Sequence, residues 1–455
     1  MKILMVSGEY PPMTGGVARY TRNLVRALSK RADIEQVWVA TSTVVEKLAN
    51  NNSNSSGDGV NDPGLDGHKV YGIIKKGDRR NSDRLLRLVE ELKPDIVNIQ
   101  YERGLYEIDT TVCHTINRIL HGSTLDKFYR ACPVPTVSTL HTVFPYEEYQ
   151  GYIKERARRK EGRFGFLPTP FRIAIRKWVM ERRYDLLLQV VRLSTEIISP
   201  AETIHNVVKR GTVIYHGAEP ALLSSEASSH LPSSNSTTNI RTVSAQTTIT
   251  STTTAAMPRN NKEEFRKQFG LPTNRMLLLA FGYVGSYKGF DLLDRLELPE
   301  GWSIVVKQTR HERGVEKPLS LKKESTISLD LGYMDDVTMS KLLSACDAII
   351  FPYRVVSLSG VMFDALAHGL PFVASDLEFF KEFAKMGLGI TSERTPAALA
   401  KALFTLAGEY GKFKRNVEQF APRLRWDRIA EEHTRFYSKC ITCYGNGSAK
   451  KMYNS

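Results

Sequence analysis

Long apolar runs are missing: no stretch of the 455 residues approaches the ~20 consecutive apolar positions a membrane-spanning helix needs. Residues 1–7 are too short for a secretory signal and run straight into Gly8-Glu9, so they read as a buried first strand. Cysteine is scarce. Cys113, Cys132, Cys346, Cys440 and Cys443 are too few and too scattered for a disulfide framework. The Cys440-x-x-Cys443 spacing suits zinc or redox chemistry, but no second ligand pair accompanies it, and no metal is expected. Asn51, Asn54, Asn235 and Asn446 stand in glycosylation sequons with no secretory signal before them. A cytoplasmic location is the expectation. Acidic residues are outnumbered, 49 against 63 basic, leaving a formal charge of +14. That balance suits nucleic acid, an anionic membrane surface or phosphorylated substrates. No nucleic-acid recognition module is visible, so nucleic acid is not expected as a partner.

What is present is ordinary globular material, 42 % apolar and 25 % charged, which excludes wholesale disorder and fibres. The length suits two or three domains. Mostly apolar runs at residues 2–7, 37–41, 95–100, 136–142 and 196–200 read as strands buried on both faces. A second series follows at 276–282, 303–308, 326–333, 348–353 and 371–375. Periodic helical stretches alternate with them, as at 17–28, where Val17, Tyr20, Leu24, Ala27 and Leu28 share a face. The fold class is therefore α/β, two Rossmann-like doubly wound halves. The halves are expected at 1–212 and 213–425, with a C-terminal helix over 426–440 crossing back to the first half and a flexible tail over 441–455. Between the halves, 224–261 is a Ser/Thr-rich insertion read as disordered, and 50–67 is a smaller loop of the same sort.

Four places invite chemistry. Gly15-Gly16 lies between the first strand and the first helix, where glycine allows close backbone approach and a helix start offers free N–H groups to a phosphate. The same doublet could simply serve a turn with positive φ. His141 closes the strand at 136–142, at the sheet edge where open α/β folds bind ligands. Lys288-Gly289 follows a strand and is expected to open a helix over 290–296, placing an ammonium beside a phosphate-receptive helix start. Finally, residues 351–375 read as strand, small-residue loop, helix, Gly-Pro break and strand. There Ser357, Ser359 and Gly360 form an anion-receptive start, and Asp364 lies one turn further in, within reach of ribose hydroxyls.

Taken together, the segments MKILMVSGEYPPMTGGVARYTRNLVRAL, KPDIVNIQ, VSTLHT, VIYHGAEP, FGYVGSYKGFDLL and FPYRVVSLSGVMFDALAHGLPFVASD resemble family 4 retaining glycosyltransferases of the GT-B fold. The resemblance spans nearly the whole chain apart from the insertion and tail. It implies a first half that binds the acceptor, a second half that binds a nucleotide-sugar, and reaction in the cleft between them. By resemblance, Lys288 holds the donor diphosphate, Asp364 the ribose, His141 faces the transferred sugar, and Gly15-Gly16 line the cleft. Two departures stand out. Val356 occupies the position of the family's usual first donor-helix glutamate, and Asp364 that of the second, as in a subgroup with a Ser-Gly-x-x-x-Asp motif. The family's arginine a few residues before the phosphate lysine is absent from 282–287, and Arg354, Lys307 or Arg310 could supply its charge.

The resulting expectation is a retaining hexosyltransferase using a nucleoside-diphosphate sugar and a hydroxyl acceptor, either lipid-linked or a glycan, without a metal cofactor. The alternative is a non-catalytic sugar-nucleotide-binding partner of an active glycosyltransferase. Residues 154–183 carry eleven Lys/Arg against three glutamates, interleaved with aromatic and aliphatic side chains. This pattern suits either a solvated charged face or peripheral binding to an anionic membrane at the inner membrane face.

Overall fold

The computed structural model describes residues 1–45, 68–108, 123–158, 167–218, 220, 259–309, 325–332 and 334–445. Strand β1 (Lys2–Ser7) divides its side chains between two cores. Ile3 and Met5 join Tyr20 and Trp426 on one face, while Leu4 and Val6 join Val97 and Phe128 on the other. A strand alternates faces at every residue, so such a run is stable only where helices cover both sides.

Around it lie β2 (Gln36–Ser42), β3 (Val70–Ile74), β4 (Ile96–Tyr101), β5 (Thr136–Leu140), β6 (Glu196–Ser199) and β7 (Thr212–Val213), in the order β3-β2-β1-β4-β5-β6-β7 and all parallel. The second sheet contains β8 (Met276–Tyr283), β9 (Trp302–Thr309), β10 (Thr326–Leu329), β11 (Ala348–Phe351), β12 (Phe372–Ser375) and β13 (Gly389–Ser392). Its order, β10-β9-β8-β11-β12-β13, is again all parallel. The strand order reverses at β1/β4 in one sheet and at β8/β11 in the other. Crevices for ligands form at the carboxyl ends of strands at such switch points.

Several boundaries differ from expectation. β7 pairs with β6, so residue 213 belongs to the first sheet rather than opening the second domain. The edge strands β3 and β13 lie outside the expected series, because each shows only a short, half-buried pattern. Residues 259–261 of the expected insertion already begin a helix, Arg259–Gln268, and the rest of it, like 50–67, lies outside the described residues. The last helix runs Trp426–Gly445, past the expected end at 440, with Ile441 still packed against the core beyond Cys440. It packs on the first helix, Gly16–Ser29, with the Tyr20 and Trp426 rings 5.4 Å apart. Among the described residues, no helix is long and apolar enough to cross a membrane.

Candidate active site

At the β8/β11 switch point Lys288 is buried, and among the described residues its ammonium meets aromatic groups rather than a carboxylate. Nζ donates to the Tyr353 hydroxyl and sits 4.0 Å from the centroid of that ring and 5.2 Å from that of Tyr287. Burial pushes its pKa down to about 7. The helix expected to start here is absent as an α-helix. Lys288 ends one 3₁₀ turn, Ser286–Lys288, and a second, Phe290–Arg295, follows. The cause is Gly289, in the left-handed region at φ +68, where a Cβ would fall 1.8 Å from the Pro352 carbonyl oxygen. The Arg354 N–H donates to the Tyr287 carbonyl at 2.8 Å, tying the lysine loop to the loop after β11.

Helix Gly360–Ala367 begins beside that loop. Ser359 occupies its cap position without bonding a helix N–H through its side chain, and is buried. The Ser357 hydroxyl accepts from Val143 N–H at 2.6 Å and donates to the Val143 carbonyl at 2.9 Å, joining the two domains at one residue. Asp364 is only 2 % exposed, and its two oxygens accept from Nη1 and Nη2 of Arg19 at 2.6 and 3.1 Å. Nε of Arg19 donates to Asp336 at 2.6 Å, and Arg22 pairs with the same carboxylate. Arg19 therefore reaches from the first helix across the cleft to two acids of the second domain.

The residues expected to replace the missing arginine separate. Arg354 adjoins the Lys288 loop; its Nη2 donates to both oxygens of Asp291 at 2.9 and 2.7 Å, and Nε lies 3.6 Å from Glu155 of the first domain. Lys307 is fully buried and bonds Thr309 Oγ1 at 2.9 Å and the Gly332 carbonyl at 2.5 Å, which makes it a structural group of its own sheet edge. Arg310 lies outside the described residues.

On the first-domain side, the helix start read as a phosphate receptor is already occupied. Glu9 Oε1 accepts from the N–H groups of Val17 and Ala18 at 3.0 and 3.1 Å. Neither glycine has positive φ; a Cβ on Gly15 would fall within 2.2 Å of that carboxylate, whereas one on Gly16 meets nothing within 4 Å. Gly15 thus makes room for an internal cap. The loop still faces the cleft, since the Tyr283 hydroxyl donates to the Thr14 carbonyl at 2.9 Å. Burial together with the nearby Glu9 charge raises Glu102, just past β4, to about 7.

His141 is buried at the end of β5, with Nε2 2.8 Å from Gln100 Oε1. The Gln100 amide nitrogen is directed to Asn98 and Met5, so its oxygen faces the imidazole. This assigns Nε2–H as donor and leaves Nδ1 as an acceptor. Tyr20 packs between His141 and His216, 4.9 Å from each ring. His216 stacks on Phe363 at 5.3 Å, and its Nε2 lies 3.5 Å from where a Gly360 Cβ would be. Burial, aided by His216, lowers His141 to about 3, and burial lowers His216 to about 4. Both imidazoles are therefore neutral hydrogen-bonding groups at neutral pH. Sequence reading missed Arg19, Glu9 and His216. Only His216 carried a signal, as the polar residue inside the hinge segment VIYHGAEP.

Residues 313–409 match the sequence profile of Glycosyl transferases group 1. No curated protein matches the chain. Solved structures do. Anabaena HepE in complex with UDP aligns over 96 % of this chain and 100 % of its own, at 14 % identity and TM-score 0.56. Sucrose-phosphate synthase from Thermosynechococcus elongatus aligns over 97 % and 100 %, at 13 % identity and TM-score 0.57. The catalytic domain of starch synthase IV from Arabidopsis thaliana, bound to ADP and acarbose, aligns over 97 % and 99 %, at 12 % identity and TM-score 0.53. The fold is GT-B, two Rossmann-like domains facing a cleft.

Proposed function

We propose that the chain is a retaining glycosyltransferase, of the family 4 type, that moves a hexose from a nucleoside-diphosphate sugar to a hydroxyl acceptor. The observation that carries this reading is Lys288: a buried ammonium at a sheet switch point whose partners are aromatic and hydroxyl groups, close to the start of helix Gly360–Ala367. A desolvated cation with no counter-charge among the described residues is poised for an anionic ligand. HepE is seen with UDP and starch synthase IV with ADP, which supports a nucleoside diphosphate as the ligand class and leaves the base unassigned.

In this reading the C1–O bond to the diphosphate breaks as the acceptor oxygen attacks from the same face, and the acceptor proton passes to the departing phosphate. Lys288, Ser359 and the Gly360 N–H stabilise the negative charge that develops on the leaving group. His141 Nδ1 accepts from a hydroxyl of the transferred sugar, with Gln100 holding the ring. Since an ammonium meets the diphosphate directly, transfer is proposed to run without a divalent cofactor, and full activity in chelator is the expected result. The acceptor binds on the first-domain side and is taken to be a glycan or a lipid-linked glycan, with the enzyme bound peripherally at an anionic membrane face. The deciding experiment incubates the purified chain with a panel of nucleotide-sugars and follows diphosphate release and the anomeric configuration of the product. No release from any donor, with tight nucleotide-sugar binding retained, would favour a non-catalytic binding partner instead.

A further inference from the structure

His216 stands just after β7, where the chain leaves the first domain for the second. The return crossing lies against it. The Ala218 N–H donates to the Leu424 carbonyl at 2.8 Å, and Trp426 packs so closely on Gly217 that a Cβ there would fall 2.4 Å from the indole. Both domains grip the imidazole. Tyr20 of the first helix lies 4.9 Å from it, and Phe363 of helix Gly360–Ala367 stacks on it at 5.3 Å with planes 13° apart. Trp426 adds a third ring at 6.1 Å. Aromatic contacts on several sides fix the plane of the ring and leave its edges to make polar contacts.

One contact assigns the tautomer. Nδ1 lies 2.8 Å from the Gly217 carbonyl oxygen, which can only accept, so Nδ1 carries the proton and Nε2 presents a lone pair. Burial keeps the ring neutral near pH 7. His216 is 7 % exposed, yet among the described residues Nε2 has no hydrogen-bond partner. Its direction is informative. Among the described residues, Nε2 and Cε1 of His216 are the atoms that come within 4 Å of a Cβ built on Gly360, so this edge faces the start of helix Gly360–Ala367. A lone pair cannot serve a phosphate oxygen; it needs a donor. The donors that a nucleotide-sugar carries on either side of its diphosphate are hydroxyl groups.

We propose that His216 reads a hydroxyl of the transferred hexose, accepting its hydrogen bond at Nε2 on the opposite side of Tyr20 from the hydroxyl bound at His141. The choice of the hexose rests on the transferase reading, in which Lys288 and the helix start hold the diphosphate and Asp364 the ribose. The two histidines then form a matched pair. Each lies 4.9 Å from the Tyr20 ring, and each has one N–H fixed on a protein oxygen and one lone pair left for substrate. A site that gives a buried acceptor to a substrate hydroxyl discriminates against the sugar lacking it, because the deoxy analogue leaves the nitrogen unpaired.

The test titrates the full chain calorimetrically with UDP-glucose, ADP-glucose and GDP-mannose, each beside its free nucleoside diphosphate. It continues with the pair that binds best and with the 2-, 3-, 4- and 6-deoxy forms of that sugar. His216→Phe keeps an aromatic ring between Tyr20 and Phe363 but has no acceptor. It should weaken the nucleotide-sugar about tenfold, the usual scale of one lost hydrogen bond, and leave the free nucleotide unchanged. One deoxy sugar should bind the wild type about tenfold more weakly than its parent, yet bind His216→Phe as well as the parent does. Melting curves identify a variant that does not fold, and His216→Leu then takes the place of His216→Phe. Equal losses for nucleotide and nucleotide-sugar would make the imidazole a structural or ribose-binding group and overturn the proposal. So would an unweakened nucleotide-sugar, a wild type indifferent to every deoxy form, or binding of none of the three donors. Diphosphate release is measured separately. Binding that responds to His216 without release would retire the transferase reading and keep this contact, whereas release with no response to His216 would do the reverse.

Discussion

Arg19 grips both carboxylate oxygens of Asp364, at 2.6 and 3.1 Å, and so binds the first helix of one domain to helix Gly360–Ala367 of the other. Asp364 is 2 % exposed in this arrangement, which leaves a ribose no approach to it. If Asp364 receives the donor ribose, the nucleotide must take over the carboxylate from Arg19. The ion pair is then a latch on the nucleotide-free cleft, strengthened by Asp336 and Arg22.

Replacing Arg19 with alanine should therefore have two linked effects. Leaving a buried carboxylate unpaired costs up to ~3–5 kcal/mol, less here because Arg19 is itself partly exposed, so the melting temperature should fall. A saturating nucleoside diphosphate should then stabilise the variant more than it stabilises the wild type, because its ribose hydroxyls satisfy an otherwise orphaned Asp364. Differential scanning calorimetry with and without nucleotide measures both quantities. Equal ligand-induced shifts in the two proteins would separate Asp364 from the nucleotide.

Lys288 gives the pH dependence its sign. Burial lowers its pKa to about 7 in the free protein, so the ammonium is increasingly lost as pH rises through 7, while a bound diphosphate favours the charged form. Donor binding above that pH must take up a proton, and affinity should weaken towards tenfold per pH unit until the pKa of the complex is reached. Calorimetry at pH 8 in buffers of different ionisation enthalpy should register that uptake. Lys288→Ala should abolish the pH dependence and lower transfer ~10²–10³-fold, the usual cost of removing a donor aimed at developing charge. A variant that retains wild-type turnover would take Lys288 out of the mechanism.

The contrast between Lys288 and Arg19 marks what the linear sequence can convey. Strands such as β1 and β8 were legible because a parallel strand buried on both faces writes a continuous apolar run. Lys288-Gly289 and Ser359-Gly360 were legible because each stands in the loop that follows such a run. Arg19 and Asp364 are 345 positions apart, and their pairing exists only once two domains have docked. Glu9 was hidden for a related reason: its carboxylate reaches eight positions forward to cap a helix whose start reads as open to a ligand. The expected helix after Lys288 failed on the close approach of Gly289 to Pro352, a residue from the loop after the neighbouring strand β11 that a local reading does not see.

The three glycines of these loops should respond differently to one added methyl group. Gly289→Ala puts a side chain into the left-handed region at about 1–2 kcal/mol and drives it into the Pro352 carbonyl, so stability and transfer should both fall. Gly15→Ala strikes the Glu9 carboxylate and should loosen the first helix. Gly16→Ala meets open space at ordinary φ and should be neutral, or stabilising by up to ~1 kcal/mol through the unfolded chain. Chemical denaturation of the three variants checks the order. A destabilised Gly16→Ala would mean that this position is constrained by something other than packing.

The proposed membrane contact can be tested on a single side chain. Of the basic residues in 154–183, Arg172 is buried and bonds Thr169, so it cannot meet a lipid headgroup, while 159–166 lie outside the described residues. Its neighbour Phe171 is 64 % exposed, the most exposed large apolar side chain among the described residues, at the start of helix Thr169–Leu193. Lys177 and Arg182 lie further along the same helix with exposed side chains. An aromatic residue flanked by cations is the arrangement by which a helix beds its apolar side at the headgroup boundary while charge draws it to anionic lipid. Burying a phenylalanine contributes roughly 1.5–3 kcal/mol, and each cation near the surface about 1. Phe171→Ser should therefore cut partition onto anionic vesicles about tenfold or more at low salt, with diphosphate release in solution unchanged. Lys177→Gln with Arg182→Gln should weaken binding less, and this loss should disappear at high salt, where the charges are already screened. Sedimentation with phosphatidylserine-rich and purely zwitterionic vesicles separates the two contributions. If Phe171→Ser sediments like the wild type on both, the aromatic is a solvent-facing residue and the charge serves only solubility.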